Sequence, residues 1–251
     1  MIVSKSPREI EIMRCAGKIA AEALQIVREI AKKDVTTEYL DAEIERFIRD
    51  KGGVPTFKGY RGFPKSICAS INEEVVHGIP SGRKLKDGDI LSIDVGVTFR
   101  KYVADVALTI PIGEISDEAK RIIEVCENSL HLAIKAIKAN EKLSLISRTI
   151  QDYVEGNGYS IIKSYTGHGV GRSMHEDPQI PNFVSKSLLE ADEILMPGVT
   201  LAIEPMICVG KCDTEVLKNK WTVVTKDRKL SAHFEHTVVV TDNGADILTL
   251  N

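Results

Sequence analysis

The chain has 251 residues, of which 43% are hydrophobic and 27% are charged, and its formal net charge is −3 at neutral pH. This composition is typical of a globular protein with a large core, built as one domain or as two closely joined halves. The small negative charge gives no reason to expect nucleic acid or an anionic membrane as a partner. No apolar run approaches the length of a membrane span, and residues 1–8 contain no signal-peptide hydrophobic region, so we expect a cytoplasmic protein.

Helix signals dominate the first fifty residues. Residues 6–9 form a capping box with proline at the first helical position, which predicts a long amphipathic helix that ends at about Lys32. A second helix is predicted from residue 36 or 37 to the glycine pair at residues 52 and 53. The aromatic and glycine-containing segment 54–64 is predicted to be a loop.

Strand signals follow this loop, and then the order of elements begins again. Residues 66–77 and 89–110 are rich in β-branched side chains and are predicted to be strands. Ser116 opens a helix that is predicted to reach about Asn140, and another helix is predicted over residues 144–156. Strand-like and glycine-rich sequence fills the rest of the chain.

An internal similarity supports a duplication. The pattern L-x-x-G-x-x-L-x-I-D that ends at Asp94 returns as L-x-x-G-x-x-L-x-I-E, ending at Glu204. The offset between the two patterns equals the offset between the helix starts at Ser6 and Ser116. The alternative is a chance alignment, but a shared offset favours a repeated helix–helix–sheet unit. This repeat would place Asp94 and Glu204 at related positions of one sheet.

Two aspartates lie on neighbouring predicted strands. Alternation puts Asp94 on the polar face of the first strand and Asp105 on the polar face of the second. A short turn near Phe99 and Arg100 would bring the two carboxylates across from each other. Buried like charges are costly unless a proton, a basic group or a metal compensates them. The alternative is that one aspartate is solvated and the other caps a turn.

Three further residues extend this acidic pair. Glu235 lies in a predicted strand over residues 233–240, where a single glutamate would otherwise be an exposed edge residue. His168 lies among glycines, in a context that also suits an ordinary turn histidine. Together with Glu204, these side chains make four carboxylates and one imidazole. Such a set suits two divalent ions of Mn, Fe, Co or Zn, which can act together in hydrolysis.

Five cysteines and two further histidines complete the candidate residues. No two cysteines form a C-x-x-C pair, so we expect reduced, mostly buried thiols and neither a redox site nor a zinc ribbon. His77 and His175 are each followed by turn residues and are predicted to lie at strand ends, at the mouth of a sheet. Surface turn histidines are the alternative for both positions.

Nine short motifs together identify a family. They are KSICASIN at residues 65–72, HGIP at 77–80, SIDVG at 92–96, AD at 104–105, GHGVG at 167–171, HEDP at 175–178, AIEP at 202–205, WTV at 221–223 and FEHT at 234–237. As a set they resemble the short, type I methionine aminopeptidases over nearly the whole length of the chain. The resemblance implies an α+β pita-bread fold, as a single catalytic domain over residues 1–251. It also implies pseudo-symmetric halves near residues 1–112 and 113–251, around a curved antiparallel sheet.

The resemblance also implies roles for individual residues. It implies two divalent metals bound by Asp94, Asp105, His168, Glu204 and Glu235. His77 would contact the scissile amide nitrogen, and His175 would hydrogen-bond the carbonyl oxygen as the tetrahedral intermediate forms. Because a carboxylate ligand can also take a proton, we expect Glu204 to act as general base. The methionine pocket maps onto Tyr60, Phe63, Cys68, Met174 and Trp221, with Phe57 nearby. Met174 stands where an aromatic residue often precedes the second histidine in this family.

The implied activity is the removal of methionine from the N-terminus of nascent polypeptides and peptides, with the ribosome as a partner. The resemblance extends to a monovalent cation held by backbone carbonyls near Asn72 and Ser231. The short span from Glu204 to Glu235 leaves no room for the helical insert of type II enzymes. No zinc-binding extension is expected before the first capping signal, which fits a bacterial-type enzyme.

Two other functions are compatible with the sequence. An Xaa-Pro aminopeptidase or dipeptidase uses the same five ligands, but it carries a large domain before the catalytic one, and the position of Asp94 leaves little room for that domain. A non-catalytic binding module of the same fold would have lost metal ligands, whereas this sequence retains all five. Cleavage of Met-Ala against Ala-Pro peptides would separate the first alternative from the aminopeptidase.

Overall fold

Residues 2–250 are described by a computed structural model of the chain. Met1 and Asn251 lie outside the described residues, and the predicted single domain over residues 1–251, with its two halves, stays a prediction. Among residues 2–250, no helix is both long and apolar enough to cross a membrane. The helices are α1 (Pro7–Ile30), α2 (Thr37–Asp50), α3 (Asp117–Ala136), α4 (Ser144–Gly156) and α5 (Lys186–Glu190).

The predicted helix starts are confirmed by their caps. The Ser6 N–H donates to the Glu9 carboxylate at 2.9 Å, Thr36 Oγ1 accepts from the Tyr39 N–H at 3.2 Å, and Ser116 Oγ accepts from the Ala119 N–H at 3.2 Å. These bonds satisfy backbone donors that the first helical turn leaves free.

Helix ends were predicted less well. Helix α1 ends at Ile30 and α3 at Ala136, whereas the sequence predicted Lys32 and Asn140. The buried Ile137 is already extended, because the chain that follows joins the strand-like segment around Leu195. Helix α5 was not predicted at all, since five residues are too short for a periodic signal.

The strands form one large and two small sheets. They are β1 (Val54–Pro55), β2 (Cys68–Ile71), β3 (Glu74–Val76), β4 (Ile90–Phe99), β5 (Tyr102–Pro111), β6 (Ser160–Ile161), β7 (Gly167–Gly169), β8 (Glu176–Ile180), β9 (Thr200–Ile203), β10 (Met206–Cys208), β11 (Thr214–Val216), β12 (Val223–Thr225), β13 (Ser231–His233), β14 (Glu235–Thr241) and β15 (Gly244–Ile247). The nine-stranded sheet has the order β1-β4-β5-β14-β9-β7-β8, with β2 beside β4 and β15 beside β14. All of its pairings are antiparallel. The smaller sheets are β13-β10-β6 and β11-β12-β3.

Two predicted segments differ from the structure. Segment 54–64 was predicted to be a loop, but Val54–Pro55 pairs with the edge of β4 and Tyr60–Gly62 forms a 3-10 turn. The strand predicted over residues 233–240 is divided between two sheets. Phe234 separates β13 from β14, and its N–H donates to the Pro205 carbonyl at 3.4 Å. Hydrogen-bond partners that are distant in sequence decide both outcomes.

The large sheet has one apolar face and one polar face, as alternation predicts. Leu91, Ile93, Val95 and Val97 of β4 are fully buried in a core cluster that includes side chains of α1 and α2. The opposite face of β4 and β5 carries the acidic side chains. The helices therefore cover the apolar face of these strands and leave the other face for chemistry.

The two halves share local geometry, which supports the predicted duplication. The Leu85 N–H donates to the Val35 carbonyl at 2.9 Å, and the Leu195 N–H donates to the Glu141 carbonyl at 2.9 Å. Gly88 and Gly198 follow at equivalent positions with φ of 94° and 85°, a conformation that disfavours other residues. The same hydrogen bond between the connection of two helices and the segment before a strand therefore occurs twice.

Candidate metal centre

The four predicted carboxylates meet because of the register of four strands. In β4 and β5, Asp94 pairs with Ala107 and Gly96 pairs with Asp105, so the two aspartates share a face but are offset by two residues. The expected shared face is therefore confirmed, and the two aspartates are diagonal neighbours on it. Ala107 also pairs with Glu235 of β14, and this puts Asp94 and Glu235 on either side of a small side chain.

Glu204 and His168 join from the other half of the chain. Glu204 directly follows β9, whose Ile203 pairs with His236, the neighbour of Glu235. His168 of β7 pairs with Ala202, which precedes Glu204 by two residues and therefore shares its face. Only glycine fits at position 169, directly after His168, because a Cβ there would lie 2.1 Å from the Asp177 carbonyl oxygen. The glycines let β7 approach its neighbours closely.

The ligand atoms lie within reach of common points. His168 Nε2 is 3.4 Å from Glu204 Oε1 and 4.0 Å from Asp105 Oδ2. One ligand atom each from Asp105, His168 and Glu235 lies within 4.8 Å of the others. Two ligand atoms of one zinc-like ion are at most about 4.2 Å apart, since each bond is about 2.1 Å long. The two His168 distances therefore fit ligands of one cation.

Several of these buried atoms lack a hydrogen-bond partner. Among residues 2–250, they include Asp94 Oδ1, Asp105 Oδ1 and Glu235 Oε1. Leaving such acceptors without a donor is costly in a protein interior. A divalent cation would satisfy all three at once, so the donor set fits the divalent metal that the sequence predicts.

Burial perturbs every titratable group of this cluster. Burial, with a smaller contribution from neighbouring carboxylates, raises the pKa of Asp94, Glu204 and Glu235 well above the ordinary range. Burial also raises the pKa of Asp105 to about 7, although hydrogen bonds with Asp94 and Glu235 act in the opposite direction. For His168, burial and the nearby His175 lower the pKa to about 4. Without added positive charge, the cluster therefore favours protonated carboxyls beside a neutral imidazole.

A pocket of about 420 Å³ opens over this cluster. Its walls contain all twelve predicted site residues and six others. They are Phe57, Tyr60, Arg61, Phe63, Cys68, His77, Asp94, Asp105, Ser164, Tyr165, Thr166, His168, Met174, His175, Gln179, Glu204, Trp221 and Glu235. The polar and the apolar candidates therefore lie around one space.

His77 and His175 lie at strand ends on this pocket, as predicted. His77 directly follows β3 and has φ of 59°, and its ring lies edge-on to Trp221 with centroids 6.2 Å apart. The ring of His175 lies 4.2 Å from that of His168, and its Nδ1 is 2.8 Å from the Tyr60 hydroxyl. Burial lowers the pKa of His77 to about 4 and also lowers the pKa of His175. Both rings are therefore neutral near pH 7.

The apolar wall is built from aromatic and sulfur-containing side chains. Phe63 lies edge-on to Trp221 at 5.1 Å and to Phe57 at 6.5 Å. Cys68 pairs directly with Asp94 across β2 and β4, so its thiol lies beside the carboxylate cluster. Met174 is buried in the same cluster of apolar residues. The wall offers a soft, apolar surface next to the predicted ligands.

The structure adds residues that the sequence analysis missed. Arg61, Tyr165 and Gln179 line the pocket from loops and an edge strand, where no local pattern marks them. His233 had a signal that was not used, because it lies two residues from Glu235 in a motif with alternating faces. Its Nε2 is 3.9 Å from both Glu204 Oε2 and Glu235 Oε2.

Comparisons with known proteins agree with the fold and the motifs. The sequence profile of metallopeptidase family M24 matches residues 11–242. Methionine aminopeptidase 1 of Bacillus subtilis (strain 168) is 49% identical over 249 residues, which cover 99% of this chain and 99% of that protein. The crystal structure of methionine aminopeptidase from Thermotoga maritima superposes with a TM-score of 0.97 at 42% identity, covering 100% of both chains.

A more distant relative shares the fold. Prolidase from Pyrococcus furiosus has a TM-score of 0.80 at 22% identity, and the match covers 99% of this chain but 66% of the prolidase. The expected pita-bread fold is thus confirmed, and neither the Xaa-Pro peptidase nor the non-catalytic module is favoured. The matched length, the level of identity and the superposition agree with one another. The chain therefore belongs to metallopeptidase family M24 and, within that family, to the methionine aminopeptidases.

Proposed function

We propose that this protein hydrolyses the first peptide bond of nascent polypeptides and peptides that begin with methionine, using two divalent cations. The observation that carries the proposal is the single pocket of about 420 Å³ that joins four carboxylates and three imidazoles to an apolar wall. The polar part suits hydrolysis, and the apolar part suits an unbranched thioether side chain.

Asp94, Asp105, His168, Glu204 and Glu235 would hold the cations. Support comes from the unpartnered buried oxygens of this set and from His168 contacts of 3.4 and 4.0 Å, which are within the span of one ion's ligands. One imidazole among carboxylates favours Mn, Fe, Co or Zn over Mg or Ca. When bound, the two cations would lower the pKa of a water molecule towards neutrality and polarise the scissile carbonyl.

His175 would donate a hydrogen bond to the developing oxyanion. The Tyr60 hydroxyl lies 2.8 Å from His175 Nδ1, and a hydroxyl that donates there leaves the ring proton on Nε2. The neutral ring then presents an N–H donor to the pocket while its other nitrogen is held in place. Stabilisation of charge that appears only in the transition state lowers the barrier directly.

Glu204 and His77 would handle protons on either side of the scissile bond. Glu204 would accept the proton of the attacking water, because its carboxylate lies among the predicted metal ligands, next to the place where that water would bind. His77 would contact the leaving amide nitrogen. Its position beside Trp221 puts the ring at the border between the polar and the apolar parts of the pocket.

Tyr60, Phe63, Cys68, Met174 and Trp221 would bind the methionine side chain. Edge-on contacts among Phe57, Phe63 and Trp221 fix the aromatic wall before substrate binds. Sulfur–aromatic contacts would favour a thioether over an aliphatic chain of similar length.

The remaining sequence-based expectations belong to this proposal as well. A monovalent cation would lie near Asn72 and Ser231, where the Asn72 residue has φ of 59° and its carbonyl accepts from the Ser231 N–H at 2.9 Å. The cytoplasm would be the compartment and the ribosome the source of nascent chains. Co-sedimentation with translating ribosomes would test the last point.

A peptide panel tests the proposed activity. The metal-free protein is reconstituted with Co, Mn, Fe or Zn and offered Met-Ala-Ser, Leu-Ala-Ser and Ala-Pro-Ser peptides. We expect metal-dependent release of methionine and little release of leucine. Faster cleavage of the Ala-Pro peptide, or cleavage that persists in chelator, would overturn the proposal. His168→Gln serves as the metal-site variant, and exposed His131→Gln serves as its control.

A further inference from the structure

His233 is a buried histidine beside the carboxylate cluster that has no role in the proposed reaction. Its side chain is 3% exposed, and Nε2 is 3.9 Å from Glu204 Oε2 and 3.9 Å from Glu235 Oε2. Among residues 2–250, this nitrogen has no hydrogen-bond partner. A buried polar atom without a partner in a native protein calls for a water molecule or an ion to satisfy it.

The position of the ring is fixed by its backbone. His233 ends β13, where it pairs with Met206 of β10. Thr109 Oγ1 accepts from the His233 N–H at 3.0 Å and also lies 2.9 Å from the His233 carbonyl. The Thr109 hydroxyl is itself 2.8 Å from Ser92 Oγ. Anchored on two sides, His233 is held with Nε2 close to two carboxylates.

A direct hydrogen bond does not explain this arrangement. A distance of 3.9 Å is too long for an N–H to carboxylate bond, which measures about 2.7 to 3.2 Å. A neutral imidazole can present a nitrogen lone pair to a cation, and a cation between these groups would join the ring to both carboxylates. Both distances are below the separation of about 4.2 Å that two ligands of one zinc-like ion can have.

We propose that His233 Nε2 is a further ligand of the divalent cation shared by Glu204 and Glu235, so that the centre has two imidazole ligands. This inference rests on the proposed metal centre. The side chains of Glu204, His233 and Glu235 can each supply one ligand atom within 4.8 Å of the others. Glu204 would then lie between two imidazoles, with Oε1 3.4 Å from His168 Nε2 and Oε2 3.9 Å from His233 Nε2.

A second imidazole would change which metals the protein retains. Imidazole suits Fe, Co and Zn, whereas Mn and Mg favour oxygen ligands. We therefore expect His233→Gln to weaken Co binding by at least about tenfold, as loss of a metal-site partner commonly does. Mn binding should weaken less, because Mn depends more on the carboxylates. The discrimination between Co and Mn should fall in the variant.

X-ray absorption spectroscopy of the full chain loaded with two equivalents of Co tests the proposal directly. Imidazole rings give a characteristic outer-shell scattering, which counts histidine ligands. We expect two imidazoles per protein in the wild type and one in His233→Gln. His131→Gln removes an exposed histidine outside the site and should keep two. Isothermal titration with Co and with Mn gives the dissociation constants of the same three proteins.

The outcomes separate this inference from the proposed function. Bound Co with one imidazole in the wild type would overturn the role of His233 and leave the proposed function standing. No binding of any divalent cation would overturn both. Weaker binding in His233→Gln with an unchanged imidazole count would make His233 a positioning residue and refute the ligand role. If His233→Gln does not fold, His168→Gln decides between the two outcomes. The number of imidazole ligands in His168→Gln should be one if His233 is a ligand and zero if it is not.

Discussion

The buried carboxylates predict how the metal-free protein responds to pH. Burial holds the pKa of Asp94, Glu204 and Glu235 well above the ordinary range, and it holds that of Asp105 at about 7. In the unfolded chain these groups lose their protons near pH 4. Between pH 7.5 and 8.5, the folded state therefore binds more protons than the unfolded state. By linkage, the free energy of unfolding must fall as the pH rises through this window.

The choice of window depends on the buried histidines. Burial lowers the pKa of His77, His168 and His236 to about 4 and that of His233 to about 3. These histidines therefore make the free energy of unfolding rise with pH, which is opposite to the effect of the carboxyl groups. The stability that they contribute grows as the pH rises from about 4 and levels off about one pH unit above 6.5, the ordinary histidine pKa, once the unfolded histidines have lost their protons. From about pH 7.5 upward the histidines therefore no longer oppose the carboxyl groups.

The expected size follows from the number of retained protons. Each carboxyl that keeps its proton across this window lowers the free energy of unfolding by about 1.4 kcal/mol per pH unit, which is about 1.4 kcal/mol from pH 7.5 to 8.5. Domains of this kind have total stabilities of roughly 5–15 kcal/mol, so the loss is a measurable fraction. Bound divalent cations would replace the protons and remove the slope.

Urea denaturation at pH 7.5, 7.8, 8.2 and 8.5 measures this effect, with circular dichroism as the signal. One series contains chelator and the other contains excess Co or Mn. Asp94→Asn is the matched control, since it keeps the shape of the side chain but removes one titrating group. In chelator, the free energy of unfolding of this variant should decrease less steeply with pH than that of the wild type, by about 1.4 kcal/mol per pH unit. A stability in chelator that is flat or rises across this range would refute the account of the cluster.

Three further predictions concern catalysis and substrate binding. Tyr60→Phe removes the hydroxyl donor that lies 2.8 Å from His175 Nδ1 but keeps the aromatic ring. The kcat for Met-Ala-Ser should therefore fall about three- to tenfold, with KM nearly unchanged. An unchanged kcat would contradict the proposed tautomer of His175. His175→Ala should lower kcat by about 10² or more. His77→Ala should lower kcat far more than it weakens metal binding, so its metal content by mass spectrometry should equal that of the wild type. Normal turnover by either variant would contradict the role of the histidine that it replaces. Phe63→Leu removes the edge-on contact between Phe63 and Trp221. The variant should lower kcat/KM for Met-Ala-Ser by about tenfold relative to kcat/KM for Leu-Ala-Ser. Equal losses for both peptides would argue against a methionine pocket.

Local sequence patterns determined most of the elements and the faces of the acidic residues. Ser6, Thr36 and Ser116 marked helix starts because capping depends on residues within one turn. Alternation placed Asp94 and Asp105 on the polar face because side chains in a strand point to opposite sides with a period of two. These features require only neighbouring residues, so a single sequence carries them. The specific motifs likewise indicated the family that the comparisons then confirmed.

The tertiary structure alone decided the register, the strand break and the second imidazole. Asp94 lies opposite Ala107 and not opposite Asp105, because the two-residue turn between β4 and β5 fixes the pairing. The chain changes sheets at Phe234, where Pro205 supplies a hydrogen-bond partner from a distant segment. That change holds His233 beside Glu204 and Glu235. Such choices depend on which groups meet across the fold, and local periodicity contains no record of those partners.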